Sequence, residues 1–126
     1  MRRTGFGAAL LLAVCGPAFA DDRAALLHDA RADMARGDGV TAEIRLKRAL
    51  AEGAPRRAVA AYMGKALLVQ GKRDQARAWL EGEDFSPASA ADGFRALARL
   101  HQAEGDYPAS ARAFDRALAL IPEDAG

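Results

Sequence analysis

The sequence is poor in the residues that build strands, disulfides and metal sites. Only four valines, two isoleucines and two threonines occur among the 126 residues, whereas alanine, the strongest helix former, occurs 32 times. We therefore expect an all-α protein. The two histidines, His28 and His101, are isolated, and Cys15 is the single cysteine, so no cluster has the spacing of a metal site or of a nucleophile with its base.

The positions of the glycines and the net charge limit the classes of function further. Glycines punctuate helical stretches and do not form a phosphate-cradling loop. The net charge of +1 does not argue for nucleic acid or an anionic membrane as the main partner. We expect a binding protein, not an enzyme, with no cofactor and no bound metal.

Residues 1–20 have the pattern of a secretory signal peptide. Arg2 and Arg3 supply the positive start, and residues 5–14 are an apolar run too short to span a bilayer. Residues 18–20, Ala-Phe-Ala, form a small-x-small cleavage site. Cleavage there gives a mature chain that starts at Asp21 and lacks a transmembrane segment, so we expect a periplasmic or secreted protein.

Two other fates of the N-terminal segment remain open. The apolar run could stay uncleaved as an anchor, or Cys15 could be lipidated, since Leu-Ala-Val-Cys resembles a bacterial lipoprotein site. Such sites favour a small residue before the cysteine, and Val14 is not small. Cleavage after Ala20 is the preferred interpretation, and it leaves a mature chain that cannot form a disulfide.

The chain is organised around a glycine turn that recurs every 34 residues, at Gly37, Gly71 and Gly105. Each glycine lies between two Ala/Leu-rich stretches with helical spacing, which is typical of a stacked helix-turn-helix unit. The predicted domain covers residues 21–126, and its repeats cover residues 23–55, 57–87 and 89–122.

Three local features modify this regular pattern. The second helix of repeat two should be short, because Gly82 arrives early and Glu83 favours water. Ser86 and Pro87 read as the N-cap and first residue of the following helix, and Asp106 reads as the N-cap of the last helix. In repeat one, Asp29 and Asp33 replace apolar residues, which predicts an end repeat with one face to water.

The matched positions resemble the tetratricopeptide repeat family, whose unit is a 34-residue helix-turn-helix. Repeat three carries the pattern most fully, in Phe94-x2-Leu97-Ala98-x2-His101, then Ser110-x3-Phe114, Ala117 and Pro122. Repeat two contributes Ala60-x2-Met63-Gly64-x2-Leu67 and Ala76-x3-Leu80, and repeat one Leu26, Ala30, Ala42-x3-Leu46 and Ala49. This resemblance implies a right-handed α-solenoid whose first helices line a concave, peptide-binding groove. Ala-Arg-Ala-Asp followed by Ala-Arg-Gly-Asp also resembles tetratricopeptide proteins of bacterial exopolysaccharide-export loci.

Applying the 34-residue period to polar residues of the first helices gives a candidate binding site. Arg31, Lys65 and Arg99 are 34 residues apart, so they occupy equivalent positions of the three first helices. Arg95 lies one helical turn from Arg99, and His28 and Tyr62 lie near the first two of these positions. We interpret this cationic stripe as a site for an acidic segment or a chain-terminal carboxylate. The alternative is a solvated basic face, with part of the charge taken up by Asp29, Asp33 and Asp92. The carboxylate-clamp pattern of chaperone adaptors needs asparagine, which this sequence lacks.

The sequence has no extra polar-faced helix after the last repeat, although such arrays usually have one. We expect Ala113, Ala117, Leu120 and Ile121 to stay uncovered and to support self-association or docking of a partner. Together these features favour an exported scaffold that binds a protein or peptide partner. The alternative is a component of envelope exopolysaccharide export or assembly that binds an anionic polymer or its machinery.

Overall fold

A computed structural model describes residues 23–121, and every regular element among them is helical. The predictions about the signal peptide, Cys15 and Pro122 lie outside these residues. No helix of the described part is long and apolar enough to cross a membrane. The all-α prediction is confirmed, with helices α1 (residues 23–35), α2 (Gly39–Ala51), α3 (Arg56–Val69), α4 (Arg73–Leu80), α5 (Ala90–Ala103) and α6 (Tyr107–Ala119).

The three glycines of the 34-residue interval end α1, α3 and α5 in the same left-handed conformation. Their φ angles are +79° at Gly37, +77° at Gly71 and +82° at Gly105, where a side chain would be strained. In each turn the residue after the glycine donates its backbone N–H to the carbonyl five residues earlier, which closes the helix end. The three bonds are Asp38 to Asp33, Lys72 to Leu67 and Asp106 to His101, each 2.9 Å long.

The helix starts after these turns are capped differently. The carboxylate of Asp38 accepts from the Thr41 N–H at 3.0 Å, and that of Asp106 accepts from the Ala109 N–H at 3.1 Å. The predicted Asp106 cap is therefore confirmed. Helix α4 has no side-chain cap and ends after eight residues at Leu80, before Gly82, as the sequence predicted.

The helices pack mainly against their neighbours in the chain, and α3 also packs along α5. Close approach depends on small residues at matched positions. A Cβ built on Gly64 would lie 2.3 Å from the Leu80 side chain, so only glycine lets α3 and α4 approach this closely. Ala30, Ala42, Ala76 and Ala98 are all fully buried. The core runs through all six helices, and its largest fully buried apolar side chains are Val59, Leu46, Met63, Leu67, Leu80 and Leu100.

The segment between α4 and α5 differs from the prediction. Helix α5 begins at Ala90, so the expected cap at Ser86 and Pro87 is wrong. The Ser86 N–H donates instead to the carbonyl of Arg57, 2.9 Å away on α3. Beside it, Phe85 is buried edge-on against Phe94, with the ring centroids 5.3 Å apart. Burial of this ring fixes the segment against the core before the helix can start.

Asp33 does not face water, contrary to the prediction for repeat one. It is 1% exposed and occupies the register position that Leu67 takes in α3. Its carboxylate accepts hydrogen bonds from the guanidinium groups of Arg36 and Arg45, the latter at 2.6 Å. A buried carboxylate is tolerated here because two cations hydrogen-bond to it.

Candidate ligand-binding groove

A cavity of about 480 Å³ lies between α3 and α5, beside the first turn of α4. Its lining combines apolar side chains with charged ones. The apolar part comes from Leu68, Val69, Ala96 and Ala103, and the charged part from Lys65, Arg73, Asp92, Arg95 and Arg99. Four cations and one carboxylate give the cavity a net positive charge, which attracts anions.

Of the three cations predicted at equivalent positions, Lys65 and Arg99 are the two that the structure brings together. They lie one 34-residue interval apart on adjacent helices and line the same cavity. Neither forms an ion pair within residues 23–121, whereas most basic side chains of those residues do. Asp92 lines the same cavity but pairs with Arg95 and Arg31, and not with Lys65 or Arg99.

Asp92 connects Arg31 and Arg95. Its carboxylate accepts from Arg95 at 3.3 Å and lies 4.0 Å from Arg31, which comes from α1. Of the three carboxylates in the alternative interpretation, Asp92 does pair with Arg95, whereas Asp29 and Asp33 pair with Arg45 and not with Arg31. Arg31 belongs to the same charged surface but does not line the cavity.

Tyr62 is buried beneath Arg31 and does not itself line the cavity. The guanidinium carbon of Arg31 lies 5.8 Å from the ring centroid, within the range of a cation–π interaction. Burial raises the pKa of the Tyr62 phenol above its usual 10, and Asp92 adds to the rise while Arg31 opposes it. The ring therefore stays neutral at physiological pH and helps to position Arg31.

Of the predicted site residues, Arg31, Tyr62 and His28 do not line the cavity, and one cation that does line it was not predicted. His28 is exposed on α1 and does not line the cavity. Arg73, which the sequence analysis missed, lines it from the first position of α4 and donates to the Ala103 carbonyl at 3.1 Å. Its sequence signal is weak, because the equivalent positions after the other two glycine turns hold Gly39 and Tyr107.

The geometry suits binding of an anionic group that carries an apolar neighbour. Arginine offers a planar fork of N–H donors that matches a carboxylate, and lysine offers a compact charge. The apolar side chains beside them can accept a methyl or methylene group. Within residues 23–121 no three His, Cys, Asp or Glu side chains gather where they could hold a metal ion.

Comparisons of this chain with protein-family models, with curated proteins and with solved structures find no match. The class that its fold and site define is an all-helical protein with a cationic groove between adjacent helices.

Proposed function

We propose that this chain is an exported, non-enzymatic interaction scaffold. In this proposal the three helix pairs are tetratricopeptide-like repeats in a right-handed α-solenoid. The groove lined by first helices binds an acidic segment or a chain-terminal carboxylate of a protein partner. The mature protein begins at Asp21 in the periplasm or outside the cell.

The repeat interpretation is supported by the equivalence of the three turns. The glycines share one backbone conformation and one hydrogen-bond pattern at a constant 34-residue interval. The packing of α3 along α5 also fits a stack in which first helices lie side by side. Such a stack leaves the surface of its first helices available to a ligand.

The observation that carries the binding proposal is the pair Lys65 and Arg99. Both line the cavity of about 480 Å³, and neither has an ion-pair partner within residues 23–121. Arg95 stands beside them, held by Asp92. A carboxylate placed between the two unpaired cations gains charge-assisted hydrogen bonds without first breaking an existing pair.

The direct test uses a fluorescein-labelled peptide that ends in Glu-Leu-Asp with a free carboxylate, and the same peptide amidated. We expect the free acid to bind the chain, with an affinity that falls as salt is added. The Lys65→Ala/Arg99→Ala variant should bind it at least about tenfold more weakly, since each charge-assisted bond contributes roughly 1.5–3 kcal/mol. Fluorescence anisotropy measures both affinities.

A matched control removes two exposed cations outside the groove, Arg48 on α2 and Arg112 on α6. The Arg48→Ala/Arg112→Ala variant carries the same net charge as the groove variant and should bind like the wild type. Equal weakening in both variants would reduce the proposal to a nonspecific charge effect. Absence of any peptide binding to the wild type would reject it.

The polysaccharide alternative rests on the same cationic groove. An alginate oligomer serves as the probe for an anionic polymer in the same assay. Binding of alginate that is lost in the groove variant, together with no binding of either peptide, would support the alternative over the protein-binding proposal.

Export is tested separately, by mass spectrometry of the protein recovered from its producing cells. The proposal expects a mature chain that starts at Asp21. A diacylglyceryl mass on Cys15, or an intact residue 1, would contradict that part of the proposal and leave the groove unaffected.

A further inference from the structure

Helix α6 carries an exposed apolar stripe that the proposed groove does not use. The α6 stripe consists of Tyr107, Ala111, Phe114 and Leu118, which lie on one side of the helix at steps of four, three and four residues, and of Ile121, which lies two residues beyond the end of the helix at Ala119. Tyr107 is 67% exposed, Leu118 is 65% exposed, and Phe114 is only half-buried. The expected uncovered set is corrected accordingly, because Ala113 and Ala117 are buried in the core.

The 34-residue register shows what this stripe is built to contact. The equivalent residues of α2 include Gly39 and Glu43, and Gln70 at the end of α3 donates to the carbonyl of the first and the carboxylate of the second, at 3.1 and 2.8 Å. The equivalent residues of α4 are Arg73, Arg77 and Leu80. Leu80 is buried in the core, and Arg73 and Arg77 both contact the end of α5. Twice in the described chain, therefore, this face is covered by a helix.

The contact between α2 and α3 also gives the orientation of the covering helix. A Cβ on Gly39, at the start of α2, would meet Ala66, Val69 and Gln70 at the end of α3. The covering helix thus runs antiparallel, with its C-terminal end against the N-terminal end of the second helix. For α6, the N-terminal end is marked by Tyr107.

The chemistry of the stripe distinguishes between two possible occupants from a second copy. The partner of Glu43 is Gln70 and the partner of Arg77 is Glu104, so each covering helix ends in a polar residue that hydrogen-bonds to the second helix. Helix α1 has Arg36 at that position, but α6 has only Ala111 to offer it. Docking α1 there would leave the charge of Arg36 without a hydrogen-bond acceptor or draw it away from Asp33.

The C-terminal end of α6 from a second copy can cover the stripe without placing a charge opposite Ala111. Leu118 and Ile121 are exposed and apolar, and they suit the exposed ring of Tyr107. We propose that the α6 stripe is a homodimer interface, in which the α6 helices of two copies pack antiparallel about a twofold axis near Phe114. The same patch serves both copies, as twofold symmetry requires. One helix pair buries less surface than a standard interface, so a micromolar or weaker dimer is expected.

Sedimentation equilibrium of the purified chain, from about 1 µM to several hundred micromolar, tests the proposal. The wild type should reach the mass of two chains. The Leu118→Asp variant should dissociate at least about tenfold more readily, because two carboxylates would be desolvated in each dimer. Ile44→Asp on α2 is the matched control, since Ile44 is 62% exposed and lies outside the stripe; it should dimerise like the wild type.

Disulfide trapping tests the antiparallel arrangement. In a Cys15→Ser background, the Tyr107→Cys and Ile121→Cys variants are mixed and oxidised, and the mixed disulfide should exceed both symmetric ones. A single-chain mass at the highest concentration would overturn the proposal. So would masses that grow beyond two chains, equal effects of the α2 and α6 substitutions, or mainly symmetric disulfides.

Discussion

Basic side chains do two different things in two regions of this molecule. Near the junctions of α2, Arg45 binds the buried carboxylate of Asp33, and Lys47 and Lys72 bind that of Glu43. In the groove, Lys65 and Arg99 form no ion pair within residues 23–121. In the first set Arg45 and Lys72 connect α2 to residues outside it, and Lys47 pairs within α2. The second set has no such structural pairing and is the set that we propose binds a ligand.

The difference comes from the carboxylates and not from the cations. Asp33 and Glu43 are buried, so their charges must be hydrogen-bonded for the fold to form. In the groove, the Asp92 carboxylate is more exposed than those of Asp33 and Glu43. It forms ion pairs with Arg95 and, at a longer distance, with Arg31. Charge reversal or neutralisation should therefore affect stability in one region and binding in the other.

The largest effect is expected for Asp33→Asn. The substitution removes the charge that both Arg36 and Arg45 contact, so we expect a loss of about 3 kcal/mol in the free energy of unfolding. Urea denaturation followed by the fluorescence of Trp79, the single tryptophan, measures it. The control Asp29→Asn changes a carboxylate that is 52% exposed and should cost less than about 0.5 kcal/mol. Equal losses in the two variants would contradict the distinction between the two regions.

A smaller, pH-dependent effect is expected for Glu43→Gln. Hydrogen bonds from Lys47, Gln70 and Lys72 lower the pKa of Glu43 from 4.5 to about 2. Because the folded-state pKa is below that of the unfolded chain, the carboxylate stabilises the fold fully above about pH 4.5 and loses this effect as the pH falls toward 2. We expect a loss of about 1 kcal/mol at pH 7 that shrinks across this window. A difference that stays constant down to pH 2 would exclude the charged form as its source.

In the groove, Asp92→Asn is expected to change ligand binding more than stability, the opposite of what is expected for Asp33→Asn. It releases Arg31 and Arg95 from their carboxylate, so the site gains positive charge. Unfolding should change by less than about 1 kcal/mol, since this pair is partly exposed, while the free-acid peptide should bind about threefold to tenfold more tightly. Weaker binding would show that Asp92 positions Arg95 for the ligand instead of competing with it.

The smallest change in stability is expected for the groove cations themselves. Lys65→Ala and Arg99→Ala should each alter the free energy of unfolding by no more than about 0.5 kcal/mol, because neither side chain has an ion-pair partner in the described chain. Arg45→Ala is the informative contrast and should destabilise by more than about 1 kcal/mol. A large loss from Arg99→Ala would assign it to the structural set.

Much of the helical pattern follows from residues close together in the chain. Glycine favours the left-handed turn, and leucine and alanine at helical spacing form one apolar side, so the helix ends at positions 37, 71 and 105 could be predicted. The burial of Asp33 could not, because the pattern of α1 does not show that Arg45 of the next helix will reach it. Likewise, Ser86 is a residue type that often caps helices, but no helix starts there, because its N–H donates to the Arg57 carbonyl and the neighbouring Phe85 is buried.

The sequence by itself determined the helical class, the 34-residue spacing of the glycine turns and the 34-residue separation of Lys65 and Arg99. These features depend on local backbone preference and on spacing along the chain. Only the tertiary structure decided which charges are paired. The pairing of Arg31 with Asp92, and the entry of Arg73 into the groove, require helices distant in the chain to lie side by side. Ion pairing acts over a few ångströms in space, a distance that sequence spacing does not report for residues on different helices.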